Sequence, residues 1–458
     1  MRSDKTARAG GKHLYIAALI GLGFLWTGTA YIAQAYRLLA LGLSGETVNL
    51  LTCGAYYVCQ AAGIGAVALL FHKHTALSGG KALPLCATLF ALICTAAALY
   101  SSALWLVIAT GTLLNISIGV LSGCYLTRLA TDIPQQRRGL VFGGAYAFGS
   151  LGTWLISLPM GGRFLWYSGS FFAVALLALL SLLLIKRLEP PVKAKNGEYE
   201  RTGFGKKLIL LAVAVLLLLS MENTLGFAFP LGGAQNSVYV EFTRVFYGVG
   251  LIVAGFVSDK NRRWGAVCCL AALAFPFAAL ALGGSMGGET AMWMLAYFFL
   301  GFWSVYRILV FSDISGRTGL PVFAVSGLLV GRLGEAAGTM GAALCTGTPL
   351  IVLSGAVFVL VIALFFLLYE KLYVSAVPAE LLEQQRLAEY VRRFGLSARE
   401  QDILSLIVTG MSNAEIANAL YITGSTVKFH VGNIFKKTGK GSRLELIADY
   451  KLGRETVR

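Results

Sequence analysis

An all-α fold in two parts is predicted: a twelve-helix transmembrane bundle, then a small four-helix domain. Three observations predict it. The 458 residues are 57% hydrophobic and 13% charged, with a mean hydropathy of +0.72, whereas soluble domains run nearer about a quarter charged. Uncharged runs of about 20 residues, the length that crosses roughly 30 Å of hydrocarbon, recur from Leu14 to Tyr369. After Lys371 these runs stop, and short helical patterns with polar start signals take over.

The first six spans fall at about 14–35, 47–71, 83–100, 104–127, 140–160 and 164–185. The second six fall at about 208–229, 238–257, 264–283, 291–311, 321–345 and 349–369. The first reads as a retained span, because it opens a repeating series and no small-residue cleavage site follows it. Basic residues alternate between loops. Arg2, Lys5, Arg8 and Lys12 precede the first span; Lys73 and Lys81, then Arg128, Arg137 and Arg138, and then residues 186–207 follow in every second loop. Lys260, Arg262 and Arg263, then Arg317, and finally Lys371 continue the series, while the intervening loops hold little beyond Arg37 and Arg163. Cytoplasmic loops carry the Lys/Arg excess, so both termini are expected in the cytoplasm. The formal net charge of +16 mostly reports this topology. The polar, proline-bearing stretch 186–207 divides six spans from six and reads as a linker.

Ionisable side chains within spans are costly and usually face an interior cavity. Here they cluster in the second half: Glu222, Glu241, Arg244, Arg307, Arg332 and Glu335. Two readings stand. Glu241 with Arg244, and Arg332 with Glu335, are three apart and can neutralise each other on one helix face. Alternatively Glu222, Arg244, Arg307 and Arg332 line a ligand cavity whose arginines suit an anionic group. Glu222 and Arg307 have no partner in their own spans and are the better cavity candidates. The eight cysteines (53, 59, 86, 94, 124, 268, 269 and 345) sit in or beside apolar segments without paired spacing, so they read as packing residues. His72 and His74 have no further ligands nearby. No metal cluster, nucleophile motif or phosphate-binding loop is present, so no catalytic residue, metal or cofactor is expected and an enzyme is not indicated.

Residues 378–394 follow the last span as a helical pattern, with Pro378 near its first turn. Leu387, Val391 and Phe394 share one face there, fit either for a spacer or for pairing with another helix. Ser397-x-x-Glu400, Ser412-x-x-Glu415 and Ser442-x-x-Glu445 then read as three capping boxes, and Gly410 and Gly439 sit where helix ends call for a left-handed residue. Thr423 is the expected N-cap of the third helix. On that helix Val427, Val431 and Ile434 face Ile403, Ile407, Ile416, Ala417 and Leu420. Ser425, Lys428, Phe429, Gly432 and Lys436 are left outward, as entry into a major groove requires.

Two resemblances follow from these residues. The 6+6 plan, Gly255-x-x-x-Asp259-Lys260-x-Arg262-Arg263 and the Pro134–Gly139 loop resemble the major facilitator superfamily; the loop at 72–81 departs from its pattern and lacks the acid. The stretch Leu396–Ile447 resembles LuxR-type (NarL/FixJ-like) DNA-binding domains. Leu396-Ser-x-Arg-Glu400, Asn413-x-Glu415-Ile416-Ala417, Ser425-Thr426-Val427-Lys428-x-His430-Val431-x-Asn433-Ile434, Lys437 and Arg443-x-Glu445 carry the match. The resemblance implies that Lys428, Phe429 and Gly432 approach base edges, and that Thr426, Asn433, Lys437 and Arg443 meet phosphates. It implies a sensor at 1–371, a helical linker at 372–395 and a DNA-binding domain at 396–458. The expected partners are double-stranded DNA, the lipid bilayer, a second copy of the chain, RNA polymerase and a small-molecule ligand. The expected function is a ligand-responsive transcriptional regulator in a bacterial inner membrane. An active transporter with a regulatory DNA-binding tail is the alternative.

Overall fold

Long apolar runs become long helices because a backbone surrounded by hydrocarbon must satisfy its own polar groups. In a computed structural model that describes residues 2–74, 77, 80–158, 167–188, 206–234, 240–281, 286–318, 322–374 and 379–452, every described element is helical. The chain divides into two compact units, Met1–Lys371 and Leu372–Arg458. Most of the 186–207 linker, Arg163 and Pro378 lie outside the described residues.

The first unit holds α1 (Arg2–Ala40), α2 (Gly45–Lys73), α3 (Ala82–Tyr100), α4 (Leu104–Asp132), α5 (Arg138–Ser157) and α6 (Tyr167–Lys186). Its second half holds α7 (Lys206–Ala234), α8 (Val240–Lys260), α9 (Arg262–Ala281), α10 (Met286–Thr318), α11 (Val322–Leu344) and α12 (Thr348–Tyr369). Among the described residues nine helices are long and apolar enough to cross a membrane. Phe172, Leu210 and Val359 are among the large apolar side chains left exposed around the bundle, as a lipid-facing surface requires. Where the sequence predicts an uninterrupted second span, α2 contains a π-helical stretch at Leu50–Ala55, a local widening of the helix often found at functional sites.

Within the first half α1 packs on α5 and α6, and α4 on α2 and α3; within the second, α10 packs on α8 and α9, and α7 on α11 and α12. The halves meet along α5 against α8 and α2 against α11. At the first seam the backbones nearly touch: a Cβ on Gly255 would stand 2.4 Å from the Gly139 carbonyl oxygen. That approach brings Asp259 onto the start of α5, where it accepts from the Gly139 and Leu140 amides at 2.8 and 2.7 Å. A carboxylate at a helix N-terminus satisfies amides that have no partner inside the helix. Arg262 then donates to Asp313 at 2.8 Å and Asp259 at 3.0 Å. Arg138 donates to the carbonyls of Ala130, Ile133 and Ser312 at 2.6–2.9 Å. The glycine, the acid and Arg262 of the 255–263 motif thus hold this seam together.

The second unit holds α13 (Ala379–Phe394), α14 (Ala398–Val408), α15 (Asn413–Ala419), α16 (Gly424–Thr438) and α17 (Arg443–Leu452). Both reciprocal capping boxes predicted at Ser397/Glu400 and Ser412/Glu415 are formed. The third differs: Ser442 Oγ accepts from the Glu445 amide, but the Glu445 carboxylate reaches back to the Gly441 amide at 2.8 Å instead of that of Ser442. Gly410 and Gly439 have φ of +93° and +70°, the left-handed values expected of them. Ile403, Leu404, Ile407, Ile416, Val427, Ile434 and Leu446 form a fully buried core of this unit's own.

Candidate functional site

The register of α16 is fixed by its apolar side. Val427, Val431 and Ile434 enter the core beside Ile403, Ile407 and Ile416, and the Thr423 hydroxyl caps the helix by accepting from the Thr426 amide at 3.2 Å. With that face inward, the 3.6-residue repeat turns Ser425, Lys428, Phe429 and Lys436 to the exterior, leaving Phe429 65% exposed. Thr426, Gly432 and Asn433 are half-buried on the flanks. The helix carries three lysines and no acid. A straight helix with an open cationic face has the dimensions and donors to lie in a major groove.

Two residues of the predicted set have partners that sequence spacing does not reveal. Lys437 Nζ donates to the Glu400 carboxylate at 2.7 Å and the Gly395 carbonyl at 3.1 Å, pinning the end of α16 to the cap of α14. Arg443 donates to Asn413 Oδ1 at 3.2 Å and to the Met411 carbonyl, pinning α17 to the start of α15. Burial pushes the Glu400 carboxyl up, but hydrogen bonds from Lys437 and from Ser397 outweigh it and hold the group below the usual carboxylate range.

The apolar stripe of α13 is covered within the same unit. Leu387, Val391 and Phe394 pack on the helix-turn-helix core, and Tyr390 is buried in it. The Tyr390 hydroxyl donates to Asp449 at 2.8 Å, and its ring stands edge-on to Tyr450 at 5.3 Å. The end of α13 is therefore part of the DNA-binding unit, and its stripe is neither a bare spacer nor a free pairing face.

Inside the bundle a cavity of about 600 Å³ opens between α1, α2, α4 and α5 of one half and α7, α8, α10 and α11 of the other. Arg307, Arg332 and Glu335 line it. Glu335 serves both arginines: one carboxylate oxygen accepts from Arg307 and the other from Arg332 at 2.7 Å. Structural pairing and cavity lining, alternatives in the sequence, are thus the same residues. Arg307 does have a partner, but on the neighbouring helix, where spacing within one span cannot show it. The Arg332 guanidinium lies over the Tyr57 ring at 4.2 Å, and that of Arg307 over Trp303 at 5.5 Å. Tyr57 follows the π-helical stretch of α2 and stacks on Tyr31 at 6.2 Å.

Glu222 requires a correction. It is buried, accepts from the Ser354 hydroxyl at 2.6 Å on α12 and does not line the cavity. Successive helix residues point about 100° apart, so the next two, Asn223 and Thr224, turn into the cavity instead. The side chains of Glu241 and Arg244 lie outside the described residues. No group of three or more His, Cys, Asp or Glu suited to a metal occurs among the described residues.

Comparison with known proteins agrees with both geometries. Residues 395–448 match the family described as "Bacterial regulatory proteins, luxR family". The HTH-type transcriptional regulator MalT of Yersinia pestis (strain Pestoides F) is 37% identical over 68 residues, 15% of this chain and 8% of that protein. The MalT of Vibrio cholerae is 35% identical over the same length and shares. Similarity to these relatives therefore spans only a small part of their length. Among solved structures, the proton:xylose symporter XylE bound to 6-bromo-6-deoxy-D-glucose superimposes with a TM-score of 0.59 at 14% identity, over 81% of this chain and 96% of that one. The transporter FucP in its outward conformation gives 0.59 at 15% identity, over 78% and 97%. These structural likenesses establish a fold. The multi-pass bundle has the major facilitator fold, and residues 395–448 form a helix-turn-helix domain of the LuxR family of bacterial regulatory proteins.

Proposed function

We propose that the chain is a ligand-responsive transcriptional regulator held in a bacterial inner membrane with both termini in the cytoplasm. Residues 1–371 are the sensor, 372–395 the relay and 396–458 the operator-binding domain. One observation carries this reading: a single chain joins an open cationic recognition helix to a bundle that encloses a charged cavity. A ligand acts through different affinities for two conformations of the bundle, and α16 reads a promoter as one half of a homodimer in contact with RNA polymerase. Its exposed side offers Ser425, Lys428, Phe429 and Lys436, flanked by the half-buried Gly432, with Thr426, Asn433, Lys437 and Arg443 at the phosphates. The two tied residues can meet phosphate while keeping their internal partners, since ammonium and guanidinium groups have several donors. Capture of the promoters bound in cells, followed by reporter output from them with wild-type and Lys428→Ala chains, tests this. Output that is the same with either chain defeats it.

A second reading is favoured by the cavity and by the tie at Asp259, both also suited to transport: an active transporter carrying a regulatory tail. Uptake of inducing solutes by vesicles that contain the chain separates the two. Accumulation abolished by Arg307→Ala favours the transporter.

A further inference from the structure

The charges on the cavity wall do not balance. Among the described residues its ionisable lining that is charged at neutral pH consists of Arg307, Arg332 and Glu335, two cations against one anion. Glu335 has no oxygen to spare, since each is already engaged by one arginine. Both arginines still have donors: the Nε atoms of Arg307 and Arg332 are buried without a partner, and Arg307 is only 3% exposed. A buried cation in surplus and buried unsatisfied donors are each costly. A single anionic group between the two arginines relieves the surplus charge, and guanidinium is well matched to a carboxylate.

Aromatic side chains form part of the rest of the wall, beside polar ones such as Asn49, Gln60 and Asn223. Tyr57 and Tyr31 stack, Tyr57 lies beneath Arg332, and Trp303 and Tyr247 stand near Arg307. Tyr247 has its hydroxyl engaged with Ser304 at 2.9 Å. We infer that the cavity takes a small aromatic monocarboxylate, its carboxylate between Arg307 and Arg332 and its ring among Tyr31, Tyr57 and Trp303. The volume of about 600 Å³ falls within the roughly 300–1,000 Å³ of small-molecule sites. This inference rests on the sensor reading of the bundle and names the chemistry that the sensor accepts.

The test uses the full chain purified in detergent and its melting temperature with matched ligand pairs: phenylacetate and phenylacetamide, naphthoate and naphthamide, with gluconate as a hydroxyl-rich anion. At least one aromatic carboxylate is expected to raise the melting temperature and to bind about tenfold more tightly than its amide, a difference of about 1.4 kcal/mol, while gluconate does neither. Arg332→Gln leaves Arg307 balanced by Glu335 and is expected to abolish the preference for carboxylate over amide. Glu335→Gln adds to the surplus positive charge and is expected to keep or strengthen the preference. If carboxylate and amide bind alike, if gluconate binds best, or if Glu335→Gln loses the preference as Arg332→Gln does, the inference is overturned. The sensor reading fails separately: a carboxylate that binds as expected but leaves reporter output unchanged refutes the sensor and leaves the ligand class standing.

Discussion

Lys428 and Lys437 are both exposed lysines of α16, but they are set up for different work. Lys428 projects freely from the outward face, whereas Lys437 is bonded to Glu400 and to the Gly395 carbonyl. Lys428→Ala is therefore expected to cost about 1–3 kcal/mol at the cognate site if it reads a base, and to leave the melting temperature of the domain unchanged. Lys437→Ala is expected to lower that melting temperature and to weaken cognate and random DNA alike, as loss of a phosphate contact does. Binding titrations with cognate and scrambled duplexes, beside thermal melts, distinguish them; equal loss on both duplexes for Lys428→Ala removes its base-reading role. The Glu400 carboxyl, held below its ordinary range, also fixes a pH dependence. Its contribution is complete above the unfolded carboxylate value and is lost as pH falls through the lowered folded value. Glu400→Gln should thus narrow the gap in melting temperature between neutral and acidic buffer, and an unchanged gap would place the acid sensitivity elsewhere. Caps such as Ser397 with Glu400 were legible in the sequence because both partners lie within one turn. The tie from Lys437, 37 residues away, was not, because only the fold brings it there.

At the scale of the helix, glycine is informative where its surroundings are opposite. A Cβ on Gly432 would meet nothing within 4 Å, so Gly432→Ala should stabilise α16 by about 1 kcal/mol through helix propensity alone. If DNA comes close to the backbone at this position, the same change should weaken operator binding while the melting temperature rises. A variant that is more stable and binds equally well would show that no close approach occurs. At Gly255 the added atom would collide with the Gly139 carbonyl of the facing helix. Gly255→Val should force α5 and α8 apart and lower the abundance of folded chain in the membrane, measured by detergent extraction and size-exclusion profile; a normal profile would show that the seam yields. Helix existence was legible throughout, since long apolar runs and capping signals are local. The π-helical stretch of α2 was not, because nothing in Leu50–Ala55 departs from ordinary helical composition. The cavity was legible only in part: Arg307 and Arg332 stand out as charges in apolar runs, but Tyr31, Tyr57 and Trp303 look like any membrane aromatic until the halves close around them.

For the whole molecule, the question is whether the state of the bundle reaches the DNA-binding unit, and Asp259 offers a way to ask it without any ligand. Its carboxylate accepts two amides at the start of α5 and pairs with Arg262, so it stabilises the arrangement in which α5 and α8 are closed upon each other. Asp259→Asn keeps the size of the side chain but removes its charge and one of its acceptor oxygens, which weakens the tie and shifts the bundle toward arrangements in which that seam is open. Coupling between distant sites typically amounts to about 1–3 kcal/mol, or roughly 5–150-fold in an equilibrium. If DNA binding follows bundle conformation, reporter output without inducer should move by an amount within that range at equal membrane abundance. Adding Lys428→Ala should abolish the shift, because the signal has to leave through α16. The isolated unit from Leu372 onward has its own core, so it should bind the same operator with an affinity that no inducer alters. If Asp259→Asn leaves both basal and induced output unchanged at normal abundance, then closure of this seam is not what the promoter-binding domain responds to.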